Sequence, residues 1–273
     1  MDAHIAGVGV GHLEVDSSTD GDSARAKAEA EYAFPNDEAE LERLDMQHAM
    51  MTLLLNNKLF WSPLRPDIQR VLDLGTGTGI WAIDFADLYP SAEVIGTDLS
   101  MIQPDWVPPN LRFDIDDAEL EHVKPGGYVE WQEKVPTFNS DDGSLTKDDP
   151  IMQWGNAFCE AAARFGTPCD SPRRLKGWME RAGFVDVEEH VLKIPVGIWP
   201  RDKRLKNVGL FEMVNMQEGL EALSMMPFTR ALNWSPERVQ LFLADVRRQT
   251  KDRNVHGYFY FYVVFGRKPE SAS

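Results

Sequence analysis

Residues 71–89 read VLDLGTGTGIWAIDFADLY, and the order of residue types in this stretch dictates a strand, a turn and a helix. Val71, Leu72 and Leu74 make a short apolar run broken by one acid, Asp73, and three glycines follow at alternate positions, Gly75, Gly77 and Gly79. From Ile80 onward, Trp81, Ala82, Ile83, Phe85, Ala86 and Leu88 recur at helical spacing. The glycines therefore form a tight turn between strand and helix. Glycine suits that place because it has no Cβ, accepts positive φ and lets backbone close on a ligand. The chemistry this implies is a nucleotide-type cofactor site.

Glycine spacing separates the cofactor classes. The dinucleotide fingerprint G-x-G-x-x-G would need glycine at position 80, where this chain has Ile80, and no Gly-Lys-Ser/Thr follows to make a phosphate-binding loop. Residues 73–79 instead read D-x-G-x-G-x-G, which resembles motif I of class I S-adenosylmethionine (SAM) methyltransferases. The resemblance implies that Asp73 lies by the amino acid moiety of the cofactor, with Gly75, Thr76, Gly77 and Gly79 forming the loop. A second apolar strand, residues 92–99, ends in Asp98 and Leu99. Asp98 stands about 20 residues past the glycines, where an acid accepts hydrogen bonds from both ribose hydroxyls. A third strand, residues 111–115, runs into Asp116, Asp117 and Ala118, similar to the Asp-Ala pair whose side chain and amide hold the adenine edge in these enzymes. The expected cofactor is SAM, and no metal site is expected.

A second resemblance covers residues 32–269. Tyr32, then Pro35-Asn36-Asp37-Glu38, Arg43-Leu44-Asp45, a Leu- and Met-rich run and Lys58-Leu59-Phe60 precede the glycine turn in the order of LaeA-type fungal methyltransferases, which are common in secondary-metabolite pathways. It implies an α/β, Rossmann-like class I methyltransferase sheet of order 3-2-1-4-5-7-6, with an N-terminal helix and helical cap insertions. It also exposes a departure. The acids at 116–121 are followed almost at once by Lys124-Pro125-Gly126-Gly127 and a strand at 128–132, so the family's fourth strand and its helix are missing. Only residues 118–124 are left to join the third strand to the next one, a reach of about 25 Å. The crossing needs roughly 22 Å in a straight line, and right-handed parallel crossovers normally take a dozen or more residues. Either the sheet is rearranged, or the sequence reflects a lost exon or an incorrect gene model.

The domain reading is a leader at 1–30, one methyltransferase-like domain at 31–269, and a tail at 270–273. Within the domain, 31–64 form a helical cap, 69–135 the cofactor-binding core, 150–250 the substrate-side helices and 256–267 the final strand. Gly7, Gly9 and Gly11 imitate a cofactor loop, but no adequate strand precedes them. Asn36 or Asp37 caps the first helix, and Leu41, Leu44, His48, Met51 and Leu55 lie on one stripe of it. Residues 128–132 form a strand and 136–150 an acidic loop. Ser171-Pro172 starts a helix whose Leu175, Trp178 and Met179 face inward, ended by Gly183. Residues 203–225 form a Met-rich helix resembling the family's lid, and 257–265, GYFYFYVVF, a strand buried on both faces.

A chain of 273 residues with 43% hydrophobic content builds a substantial core. The net charge of −16 argues against a nucleic-acid surface. Cys159 and Cys169 are neither a disulfide framework nor a zinc pattern and are read as packing residues, which fits a reducing compartment. No apolar run approaches a membrane span, so a cytoplasmic protein is expected, with the nucleus left open. His48 and His256 are read first as structural, and Trp154 and Phe158 as core or pocket wall. No catalytic residue is named. Methyl transfer is an in-line displacement from a sulfonium, so protein supplies mainly orientation and a dry pocket. The leading expectation is a SAM-dependent methyltransferase acting on a small molecule in fungal secondary metabolism. Its rival is a catalytically impaired accessory protein of the same descent, with protein partners unread. An NAD-dependent oxidoreductase is disfavoured by Ile80.

Overall fold

The computed structural model describes residues 38–100, 102–115 and 123–270. The leader at 1–30, the capping residues Asn36 and Asp37, and the adenine-side pair Asp117 and Ala118 lie outside the described residues.

The first half alternates helix and strand: α1 (Glu38–Leu54), β1 (Arg70–Leu74), α2 (Ile80–Leu88), β2 (Glu93–Thr97) and β3 (Leu111–Asp114). Asn56 and Asn57, both with left-handed φ near 60°, stop α1, as short polar side chains tolerate that conformation. The strands pair in parallel in the order β1-β2-β3. Trp81, Phe85 and Tyr89 stack along α2 and, with Val71, Val94 and Leu111, make a compact core for this half.

The second half contains β4 (Tyr128–Asn139), α3 (Pro150–Arg164), a 3-10 turn at Ser171–Arg174, α4 (Leu175–Arg181), β5 (Val185–Pro195), α5 (Lys203–Arg230), α6 (Pro236–Thr250) and β6 (Tyr258–Arg267). Asp202 and Ser235 cap α5 and α6 by accepting from the amides of Leu205 and Arg238. Here the strands are antiparallel in the order β4-β6-β5. β6 is the central one and is largely buried on both faces, as its continuous apolar sequence requires. A large core joins α1, α3, α5 and α6 to one face of this sheet, while Leu175 and Met179 of α4 pack with Val129 and Val264 on the other.

The missing fourth strand has a plain consequence. Removing it from the order 3-2-1-4-5-7-6 leaves 3-2-1 and 5-7-6, and these are the two sheets found. The rearrangement expected from the short connection is thus a division, with β1 and β4 unpaired with each other among the described residues. Residues 59–62 stitch the two halves together. The amides of Trp61 and Ser62 donate to the carboxylate of Glu130 on β4, a side chain 1% exposed, at 2.6–3.0 Å. The Leu59 carbonyl accepts from Gln132 Nε2 on β4 and from Trp81 Nε1 on α2.

Three local expectations change. β4 continues to Asn139 rather than ending at Gln132, because Val135 and Phe138 are buried and Pro136 falls in the bulge between them, where its missing N–H breaks no ladder bond. Ser171-Pro172 opens a 3-10 turn, and the α-helix proper starts only at Leu175. Trp178 is 42% exposed, since Leu175 and Met179 take the inward face of a seven-residue helix.

Candidate active site

The turn after β1 is held from below. Gly75, Gly77 and Gly79 have φ of 68°, 56° and 80°, all left-handed. A Cβ on Gly79 would come within 2.2 Å of the Phe113 ring, so both conformation and space demand glycine there. Asp73 is fully buried beneath the turn and accepts from Thr76 Oγ1 at 2.6 Å, while the Thr76 amide donates to the Thr97 carbonyl at the end of β2. Asp98 Oδ2 accepts from the Gly77 amide at 2.8 Å, and Oδ1 accepts from the amide and hydroxyl of Ser100. Gln103 Nε2 donates to the carbonyls of Gly77 and Ser100, clamping the two loops together. The sequence does not single out Gln103, whose role depends on contacts 26 residues apart in the chain.

A cavity of about 760 Å³ opens between this turn and the second half. Gly75, Thr76, Gly77 and Asp98 border it on one side, and Val129 with residues 131–134 of β4 border it on the other. Met51, Trp154, Phe158, Met216, Leu220 and Phe259 close it with apolar surface. The residues expected to hold a cofactor therefore divide into two groups. Gly75, Thr76, Gly77 and Asp98 line the cavity; Asp73, Gly79 and Leu99 do not, the first two supporting the turn and the third being 47% exposed.

His48 also lines the cavity and hydrogen-bonds Asp84, whereas His256 bonds Asp142 and the Ser144 hydroxyl accepts from its amide, away from the cavity. The thiols of Cys159 and Cys169 are free and hydrogen-bonded to each other, which lowers the pKa of the first and raises that of the second.

Two acidic features at the cavity are not legible in the sequence. Arg43 of α1, held by Glu40, donates to Asn215 of α5 at 2.5 Å; Asn215 donates to Glu212, and Glu212, fully buried, is paired with Lys134 of β4 at 2.7 Å. This chain of contacts ties the cap, the long helix and the sheet edge together above the cavity. One residue from Lys134 on β4, Glu133 makes no hydrogen bond or ion pair with any described residue, and burial pushes its carboxyl up to about 8. Alternation along β4 places Glu133 on the face of Val129 and Trp131, but nothing local says that this face meets a cavity.

Among the described residues, no cluster of His, Cys, Asp and Glu is arranged to hold a metal, and no helix is long and apolar enough to cross a membrane. No family profile matches the chain. Individual relatives do. Methyltransferase pytC of Aspergillus terreus is 37% identical over 270 residues, covering 87% of this chain and 83% of the relative. The secondary metabolism regulator LAE1 of Cochliobolus heterostrophus is 33% identical over 277 residues, covering 88% and 90%. The probable methyltransferase tdiE of Emericella nidulans is 33% identical over 261 residues, covering 84% and 82%. Among solved structures, phosphoethanolamine N-methyltransferase 2 of Haemonchus contortus is 16% identical with a TM-score of 0.41, covering 81% of this chain and 52% of that one. The glycine turn, the acid ending β2 and this level of identity along most of the chain place it together with the first three: the chain belongs to the LaeA-like family of fungal methyltransferases.

Proposed function

We propose that the chain binds SAM at the turn after β1 and transfers its methyl group to a small molecule of fungal secondary metabolism held against β4. The observation that carries this reading is one cavity bordered by the turn on one side and by apolar and aromatic surface on the other. The cradle fits the cofactor. Gly77 faces open space, since a Cβ added there would meet nothing nearer than Leu44 at 3.9 Å, so a ligand can approach the backbone closely. Asp98 borders the cavity, and beyond the three protein donors it already serves its Oδ2 keeps one lone-pair site for a ribose hydroxyl. Asp117 and Ala118 complete the adenine side in this reading.

When bound, SAM supplies an electrophilic methyl on a sulfonium. The protein's share is orientation and exclusion of water: Gly75, Thr76 and Gly77 set the near wall, and Met216, Leu220 and Phe259 exclude solvent from the far wall. The two free cysteines suit the reducing cytoplasm, where we place the protein.

Calorimetric titration with SAM and with its demethylated product, S-adenosylhomocysteine (SAH), tests the assignment. Asp98→Ala should weaken both by roughly tenfold or more through lost hydrogen bonds to a charged group. Undetectable binding by folded wild-type protein, or unchanged affinity in Asp98→Ala, would count against it. The divided sheet favours a second reading, a chain that binds cofactor but turns over slowly. Methylated product formed under saturating SAM as fast as by a relative with an undivided sheet would dismiss that reading.

A further inference from the structure

Nearly every charged side chain at the cavity is already matched by protein. Arg43 pairs with Glu40, Lys134 with Glu212, His48 with Asp84, and Asp98 accepts from two amides and a hydroxyl. Glu133 differs. It is half-buried, lines the cavity, and has no hydrogen bond or ion pair to a described residue. The titratable group that feels its charge is Cys169, whose thiol is pushed up first by its hydrogen bond to Cys159 and then by burial, with Glu133 adding to both, so it offers no countercharge. One aromatic residue shares its strand face, Trp131 two positions away, while Trp154, Phe158 and Phe259 border the cavity from the core on the other face of the sheet. A carboxylate left unmatched in an apolar cavity is costly unless a ligand brings the opposite charge. Aromatic faces add attraction for a cation and for nothing else that is charged.

We infer that Glu133 is the residue by which the cavity selects its methyl acceptor, and that the acceptor is an apolar molecule carrying a basic nitrogen. The inference rests on the methyl-transfer reading of the same cavity and names the substrate class. With no countercharge beside it, burial keeps the Glu133 carboxyl largely protonated near neutral pH, its titration lying at about 8. A cationic nitrogen would ionise it, and the proton leaves to solvent.

The test uses 4-phenylbutylamine as the cationic probe and 4-phenylbutan-1-ol as its neutral counterpart, titrated by calorimetry at pH 7 into the full chain saturated with SAH. Wild-type protein should bind the amine about tenfold more tightly than the alcohol. The amine's apparent binding enthalpy should differ between phosphate and Tris buffers by the amount expected for release of about one proton. Glu133→Gln, which keeps shape and removes the charge, should bind amine and alcohol alike, release no proton, and bind SAH within twofold of wild type. The SAH titration also reports that the variant is folded, and the buffer comparison on wild type needs no variant at all. Equal binding of the two probes by wild type, an amine preference that survives Glu133→Gln, or amine binding without proton release would each overturn the inference. Weakened SAH binding in Glu133→Gln would also overturn it, by assigning the carboxyl to the cofactor's own ammonium rather than the acceptor's. If wild type fails to bind SAH, the methyl-transfer reading itself falls; if SAH binds and only the amine preference is missing, that reading stands and this one alone fails.

Discussion

The parallel half β1-β2-β3 and the antiparallel half β4-β6-β5 are built to different specifications. Strands of the first are four or five residues long and rest on one short helix, α2. Strands of the second run for ten to twelve residues and are covered by α1, α3, α5 and α6. The thin half holds the glycine turn and Asp98; the thick half holds the aromatic walls and Glu133. In the proposed reading a reaction between two bound molecules is laid across a seam, and a few polar contacts join the halves. These are the Leu59 carbonyl, which accepts from Trp81 of α2 and Gln132 of β4, and the pairs His48–Asp84 and Thr78–Asp45, which hold α1 against α2 and the glycine turn. The lesson is that losing a central strand need not scatter a site when side-chain hydrogen bonds span the gap that backbone pairing once closed.

The contrast breaks most readily in the thin half. Gly79→Val puts a β-branched residue at φ 80° against Phe113 and should cost about 4 kcal/mol, the sum of left-handed strain and overpacking. Urea unfolding measures the cost. Amide exchange should show β1 and β2 losing protection while β6 keeps it; equal loss in both would mean that the halves unfold as one unit. In the thick half, Lys134→Met strands Glu212 in the interior and should cost about 3 kcal/mol. Its expected signature is the reverse, with protection lost along α5 and β4 and SAH affinity nearly unchanged.

How far the sequence reaches follows the same division. In the thin half the elements are local, so strand, turn, helix and the acid at the end of β2 are legible from Val71 to Asp98. The sequence does not distinguish residues that shape the turn from those that face the cavity: Asp73 and Gly79 lie in the same motif as Gly77 yet point into structure. In the thick half, β6 is legible from its unbroken apolar run, but the expected β4 stops short at Gln132 because Pro136 reads locally as a strand breaker. Only its register with β6 shows that the proline falls in a bulge. Arg43 and Glu212 look like ordinary charged residues because partners of theirs come from elements 70 or more residues away in sequence, and Glu133 does too because its neighbour Cys169 lies on a separate loop.

Glu133 gives a smaller, pH-dependent effect that sharpens the contrast. Its folded-state carboxyl titrates at about 8 against 4.5 for the ordinary side chain, so the folded state holds a proton that the unfolded chain has released. Between those two values stability should therefore fall as pH rises, with no contribution from this group below about 4.5 and no further loss above 8. Glu133→Gln should match wild type at about pH 4 and exceed it progressively up to about pH 8, read as the difference in thermal midpoints. A constant difference across that range would show that its surroundings do not disfavour the charged carboxylate.

The most direct test is amide exchange of the full chain with and without saturating SAH. The seam arrangement predicts slowed exchange at residues 75–80 and 97–100, at the C-terminal ends of β1 and β2, with β6 unchanged. Slowed exchange confined to β4, β5 and β6, with none at the glycine turn, would contradict the placement of the cofactor in the thin half and with it the division of labour proposed for the two halves.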